Sequence, residues 1–139
     1  MSPVEHFRQL VLTTIIPIRW GDMDALGHVN NTVYFRYMEQ ARVEWLEQLG
    51  YAIDVKCKET VVVVNASCTF LLPLTYPGQV ECRLFAGKPG RSSLQTAYEL
   101  RKVGADVLYA EGAAKMVWMA PATGKSVPLP QRILQVIAD

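Results

Sequence analysis

The chain has 139 residues, half of them hydrophobic, with 14 lysines and arginines against 13 aspartates and glutamates. That length fits one domain with a modest core, and the charge balance offers no field to draw nucleic acid or an anionic membrane. No apolar run approaches the roughly 18 residues that cross a bilayer, and the N-terminal Met-Ser-Pro-Val-Glu-His has no basic stretch ahead of an apolar core.

Residues 1–139 carry no repeat, linker or low-complexity tract and read as a single domain. Leu10 to Trp20 is β-branched and apolar, as a first strand would be. It runs into a dense polar turn, Arg19 to Asn31, which holds Asp22, Asp24, His28, Asn30 and Asn31. From Asn31 to Leu49 the residues Tyr34, Tyr37, Met38, Ala41, Trp45 and Leu49 fall on one face at helical spacing. Phe35, Val43 and Leu46 widen the apolar surface, so this helix needs cover on more than one side, and Gly50 is a fitting stop. Thr60 to Leu72 is almost continuously apolar and β-branched, the pattern of a strand buried on both faces, and Pro73 and Pro77-Gly78 end it. Gln79 to Ala86 alternates, with Val80, Cys82, Leu84 and Ala86 on one side; Ser92 to Lys102 presents Leu94, Thr96, Tyr98 and Leu100. Lys88-Pro89-Gly90-Arg91 is the turn between them. Val107 to Ala120 reads as the last strand, ahead of a terminal apolar segment. Its Ala110, Gly112 and Ala114 share a face on which a helix can lie close. Strands joined by short turns make an antiparallel sheet, and the one long apolar helix must pack on it.

The pattern Asp22-x-Asp24-x-x-Gly27-His28-Val29-Asn30-Asn31, followed by Tyr34 and by Tyr37-Met38-Glu39-Gln40-Ala41-Arg42, resembles the signature of hotdog-fold acyl-CoA thioesterases. It is most similar to the 4-hydroxybenzoyl-CoA thioesterase-like branch, and plant acyl-ACP thioesterases carry a similar loop. The resemblance implies an α+β hotdog fold, an antiparallel five-stranded sheet wrapped around one long central helix. It also implies hydrolysis of an acyl-CoA to free acid and CoA by a homodimer or homotetramer whose sites lie between subunits. CoA is part of the substrate, so no separate cofactor is implied.

On this resemblance Asp24 is the catalytic carboxylate. Thioester hydrolysis needs a base to activate water or a nucleophile for the carbonyl, and a carboxylate beside an apolar pocket can serve either way. His28 matches a histidine that the plant enzymes place in the active site, while Asn31 stands where some bacterial relatives have histidine. Asn30 and Asn31 are both candidate N-caps, and the helix end they shape could polarise the carbonyl. Asn31 is favoured for the functional role and Asn30 for contact with substrate. Tyr34, Tyr37 or Val62 could meet the acyl group. Asp22 and Trp20 are expected to support the loop, with Glu39 as a reserve carboxylate on the helix. In related enzymes a Gly-x-Ser-Ser strand entry lines the pantetheine channel, partly across the dimer interface. Gly90, Arg91, Ser92 and Ser93 fit that spacing, and Lys88 or Arg91 could meet CoA phosphates.

Plainer readings exist for each: Asp24 as a turn cap, His28 as a structural histidine, Lys88–Ser93 as a charged hairpin. Two other functions share the scaffold, a non-catalytic acyl-thioester-binding domain and a hotdog dehydratase or hydratase. Thr123-Gly124-Lys125-Ser126 lacks the earlier glycine of a phosphate-binding loop, and Asn65-Ala66-Ser67 matches a glycosylation sequon inside a strand. His6 and His28 are too isolated for a zinc site, so no metal is expected. Cys57, Cys68 and Cys82 show no metal or disulfide spacing and read as buried thiols of a reducing, cytoplasmic setting.

Overall fold

The computed structural model describes residues 8–51 and 59–138; His6 and Cys57 lie outside the described residues. Strands β1 (Gln9–Pro17), β2 (Thr60–Phe70), β3 (Gln79–Pro89), β4 (Ser93–Lys102), β5 (Leu108–Ala120) and the two-residue β6 (Lys125–Ser126) join two helices, α1 (Asn31–Gln48) and α2 (Gln131–Ala138). One antiparallel sheet has the order β1-β3-β4-β5-β2, with β6 added beside β5, and α1 lies across its inner face. This is the hotdog arrangement.

Alternation decides which side of the sheet faces the helix. Val80, Cys82, Leu84 and Ala86 of β3 are fully buried, as are Leu94, Thr96 and Leu100 of β4. Burial pushes the Cys82 thiol up to about 12, so it behaves as a small apolar group. Helix α1 contributes Tyr34, Tyr37, Met38, Ala41, Trp45 and Leu46 to the same core. Burying each large side chain of this kind is worth roughly 1.5–3 kcal/mol. The small residues of β5 do what their size suggests. A Cβ at Gly112 would collide with Met38 Sδ and come within 3.0 Å of the Ser67 carbonyl oxygen. The Thr96 hydroxyl, deep in this core, is satisfied: Oγ1 lies 2.9 Å from the Ala114 carbonyl oxygen and 2.7 Å from the Tyr98 hydroxyl.

Both ends of α1 are closed by backbone chemistry. Asn30 is the N-cap, its side chain accepting from the Thr32 N–H. At the other end Gly50 takes a positive φ of 86°. Its N–H bonds the Glu47 carbonyl at 2.9 Å, and the Tyr51 N–H bonds that of Leu46 at 3.0 Å, a Schellman motif. Leu49 is therefore the half-buried C-cap rather than a member of the buried face.

Several elements depart from the sequence expectation. The first strand stops at Pro17, and Trp20–Asp22 forms a turn of 3-10 helix, so the polar loop begins earlier than expected. Val107–Ala120 is not the end of the sheet, because β6 folds back on it and gives six strands instead of five. The terminal apolar segment is α2, whose Ile133 and Ile137 are buried; Arg132 Nη1 donates to the Leu49 carbonyl at 2.7 Å and ties it to the end of α1. Most telling is β2. Expected to be buried on both faces, it is the edge of the sheet, and Val63, Val64 and Phe70 are exposed in the single chain.

Candidate functional site

The polar loop is built by short backbone bonds. Ile18 N–H holds the Gly78 carbonyl at 2.9 Å as the chain leaves β1. Asp22 then anchors the turn, its Oδ2 accepting from the Arg19 N–H at 2.8 Å and the Tyr37 hydroxyl at 2.9 Å. Burial first, and the adjacent Asp22 carboxylate second, push the Tyr37 hydroxyl well above its ordinary range, so it remains a donor. Met23 and Val29 pair as an isolated antiparallel bridge, and the Gly27 N–H closes a turn on the Asp24 carbonyl at 3.0 Å. Gly27 sits at φ 81°, a conformation that favours glycine. Val29 N–H to the Leu74 carbonyl, at 2.8 Å, fixes the loop against the segment after β2.

Asp24 is half-buried within this frame, and both carboxylate oxygens are engaged. Oδ1 accepts from the Leu26 N–H at 2.9 Å, and Oδ2 accepts from Asn30 Nδ2 at 3.0 Å. The other end of the same Asn30 amide, Oδ1, accepts from the Thr32 N–H at 2.9 Å and its hydroxyl at 2.5 Å. Asp24 is thereby joined through one side chain to the first turn of α1. Each carboxylate oxygen still has a lone pair to offer. Of the first-turn N–H groups, those of Thr32 and Val33 are taken by Asn30, leaving that of Asn31 without a partner among the described residues.

Beside this helix end lies a cleft of about 350 Å³. His28, Asn31 and Tyr34 form one wall, and Phe70, Leu71, Leu72 and Pro73 the other. The Tyr34 ring meets Phe70 edge-on, centroids 4.9 Å apart, and its hydroxyl accepts from the Leu74 N–H at 3.1 Å. Burial raises the Tyr34 hydroxyl above its ordinary range as well. The cleft thus sets a histidine and the start of α1 against an apolar wall, and the Asn30 amide ties the Asp24 carboxylate to the same helix end. The set suits attack on a carbonyl attached to an apolar group.

The structure separates the expected residues into two groups. His28, Asn31 and Tyr34 line the cleft, and Asp24 is bonded to Asn30 at the start of α1. Asn30, expected to touch substrate, instead spends its amide on Asp24 and Thr32, and it rather than Asn31 caps the helix. The Tyr37 hydroxyl is bonded to Asp22, and the residue borders the groove between β1 and α1, not the cleft. Glu39 pairs with Arg36 at 2.9 Å and borders the same groove. The turn bearing Lys88, Gly90, Arg91, Ser92 and Ser93 sits at the far end of β3 from the loop. With 11 residues in β3, that is about 33 Å at the usual rise per residue. There Gly90 N–H bonds the Ser93 carbonyl at 2.8 Å, and a Cβ at Gly90 would lie 2.6 Å from Ser93 Oγ. Lys88 and Arg91 are exposed. The Phe70–Pro73 wall has no sequence counterpart, since Pro73 reads only as a strand terminator. Among the described residues no cluster of His, Cys, Asp and Glu could hold a metal ion, and no helix is long and apolar enough to cross a membrane.

Comparison with known proteins places this geometry among relatives. The family model of the thioesterase-like superfamily matches residues 18–137. An Aquifex aeolicus protein named "Putative esterase" is 30% identical over 125 residues, 88% of this chain and 94% of that protein. The solved structure of "a putative Thioesterase from Pseudomonas aeruginosa" is 44% identical with a TM-score of 0.88, covering 93% of this chain and 99% of the other. A 1,4-dihydroxy-2-naphthoyl-CoA thioesterase from Synechocystis shares the fold at 22% identity and a TM-score of 0.83, with 91% and 95% of the two chains covered.

Proposed function

Because the chain belongs to the thioesterase-like superfamily, we propose that it is an acyl-CoA thioesterase with Asp24 as its catalytic carboxylate. In the general-base route Asp24 takes a proton from water as the water oxygen attacks the thioester carbon. The oxyanion forms at the α1 N-terminus beside the Asn31 N–H, and the carbon–sulfur bond then breaks to release CoA and the free acid. In the nucleophilic route an Asp24 oxygen attacks the thioester carbon, the carbon–sulfur bond breaks to expel the CoA thiolate, and water hydrolyses the resulting mixed anhydride to the free acid and the restored carboxylate. His28 stands beside the cleft where it can orient the carbonyl or the water. No cofactor enters, CoA being part of the substrate.

The observation that carries this reading is the bonded path from Asp24 through Asn30 to the first turn of α1. It holds the reacting carboxylate and the positive end of the helix in one geometry, which catalysis needs. A module that only binds acyl-thioesters has no use for a carboxylate held there. The pantetheine arm is assigned to Lys88–Ser93 of a second copy, since one chain keeps that turn and Asp24 at opposite ends of the sheet. The exposed β2 edge, with Val63 and Val64, supports a two-fold homodimer, free to pair again into a tetramer.

Incubating the protein with a panel of aromatic, short aliphatic and long-chain acyl-CoAs, with detection of free thiol, tests the proposal. Release of CoA from at least one thioester is the expected result. Tight binding of acyl-CoAs without release would favour the binding module.

A further inference from the structure

We propose that Asn30 is the positioning residue of Asp24, coupling its carboxylate to the first turn of α1 through the side-chain amide. The kinetic consequence rests on the thioesterase reading above, but the coupling itself can be measured without turnover.

The two ends of the Asn30 amide have different partners. The Thr32 backbone N–H can only donate, so the end 2.9 Å from it must be the acceptor Oδ1. That orientation turns the NH2 group toward Asp24 Oδ2, 3.0 Å away. Capping a helix requires the acceptor end alone, and Asp or Ser caps as well as Asn. The donor end is therefore surplus to capping, and it meets the Asp24 carboxylate. The backbone of residue 30 is held on both sides, its N–H on the Asp22 carbonyl and its carbonyl on the Val33 N–H, each at 2.9 Å. Asp24 has its second oxygen on the Leu26 N–H. With one oxygen tied to the loop and the other to the helix, the carboxylate plane cannot turn without breaking a bond. Remove the amide and only the loop contact remains.

The variants Asn30→Asp and Asn30→Ser separate the two roles, because each keeps a capping oxygen and loses the amide. If Asn30 positions Asp24, Asn30→Ser stays folded with a melting temperature lower by a few degrees at most and an unchanged Michaelis constant, and in both variants turnover falls about tenfold or more, as a displaced catalytic group commonly costs. Asn30→Asp should be the slower, since it sets a like charge against Asp24. Should that charge prevent Asn30→Asp from folding, Asn30→Ser decides. Wild-type turnover in a folded, capped variant would overturn the role. An independent arm uses NMR of the Asn30 side-chain amide. In Asp24→Ala its proton resonances should move and exchange faster with solvent than in the wild type. Unmoved resonances would refute the coupling whether or not the protein hydrolyses any thioester. An inactive wild type with moved resonances would sink the thioesterase reading alone.

Discussion

The Tyr37 hydroxyl donates to Asp22 Oδ2 at 2.9 Å, joining the second turn of α1 to the start of the polar loop. The same oxygen holds the Arg19 N–H, so this carboxylate is a fastening for the loop. Tyr37→Phe keeps the ring in the core and removes only the bond. We expect it to cost about 1 kcal/mol, the usual net worth of one hydrogen bond, with a melting temperature lower by a few degrees and turnover reduced less than by any change at Asp24. An unchanged unfolding midpoint would remove Asp22–Tyr37 from the loop's supports.

Gly112 is where the helix lies closest to the sheet. Gly112→Ala would push its new methyl onto Met38 Sδ on one side and the Ser67 carbonyl oxygen on the other. Met38 is fully buried and has little room to yield. Overpacking of this kind costs about 1–3 kcal/mol. Urea unfolding reads it directly; a midpoint equal to the wild type would mean that the core is looser at this point than the geometry requires.

The outer face of the sheet carries a pH-dependent contribution. Burial of Glu99 acts to raise its carboxyl, but the Arg101 and Arg8 guanidiniums outweigh that and hold it below the ordinary 4.5. A carboxyl depressed by folding stabilises the native state above its unfolded value, and that stability is lost as pH falls through the folded value. Glu99→Gln should therefore lower the melting temperature at pH 7 and flatten its decline below about pH 4.5. Parallel acid curves for wild type and variant would contradict the assignment.

Arg91 is expected to contact CoA from the neighbouring subunit. Arg91→Ala should raise the Michaelis constant more than it lowers turnover, since a phosphate contact is nearly the same in ground and transition states. Mixing Arg91→Ala chains with Asp24→Asn chains then tests the shared site, because each mixed dimer would contain one intact site. At acyl-CoA concentrations well below the Michaelis constant of Arg91→Ala, activity above that of either variant alone is the expected result. A mixture no better than its components, or an active monomer in sedimentation at low micromolar concentration, would exclude sites built from two chains.

What the sequence made legible follows from which forces act within one chain. The β3 alternation and the Tyr34–Trp45 face of α1 were readable because their periods record burial directly. The valine run of β2 has no period to show which side is covered, and with Val63 and Val64 exposed in the single chain the reading of both faces covered misplaced a sheet edge. Within the eight residues of α2, Ile133 and Ile137 are a helical signal of only one spacing, too short to be told from an apolar tail. The loop's chemistry was visible as a cluster. Whether Asn30 or Asn31 caps the helix turns on where helical geometry begins, a matter of one residue that composition does not encode. The Phe70–Pro73 wall depends on a contact with Tyr34 across 36 positions of sequence between Tyr34 and Phe70, which no local pattern announces.

Asp24 carries the account. The deciding measurement is the turnover of Asp24→Asn on the best acyl-CoA of the panel, with circular dichroism and the unfolding midpoint recorded on the same preparation. Asn keeps the size of the side chain and an oxygen for the Leu26 N–H but cannot act as base or nucleophile. The account predicts a folded protein whose turnover falls about a hundredfold or more. A folded Asp24→Asn protein that turns over like the wild type would contradict it.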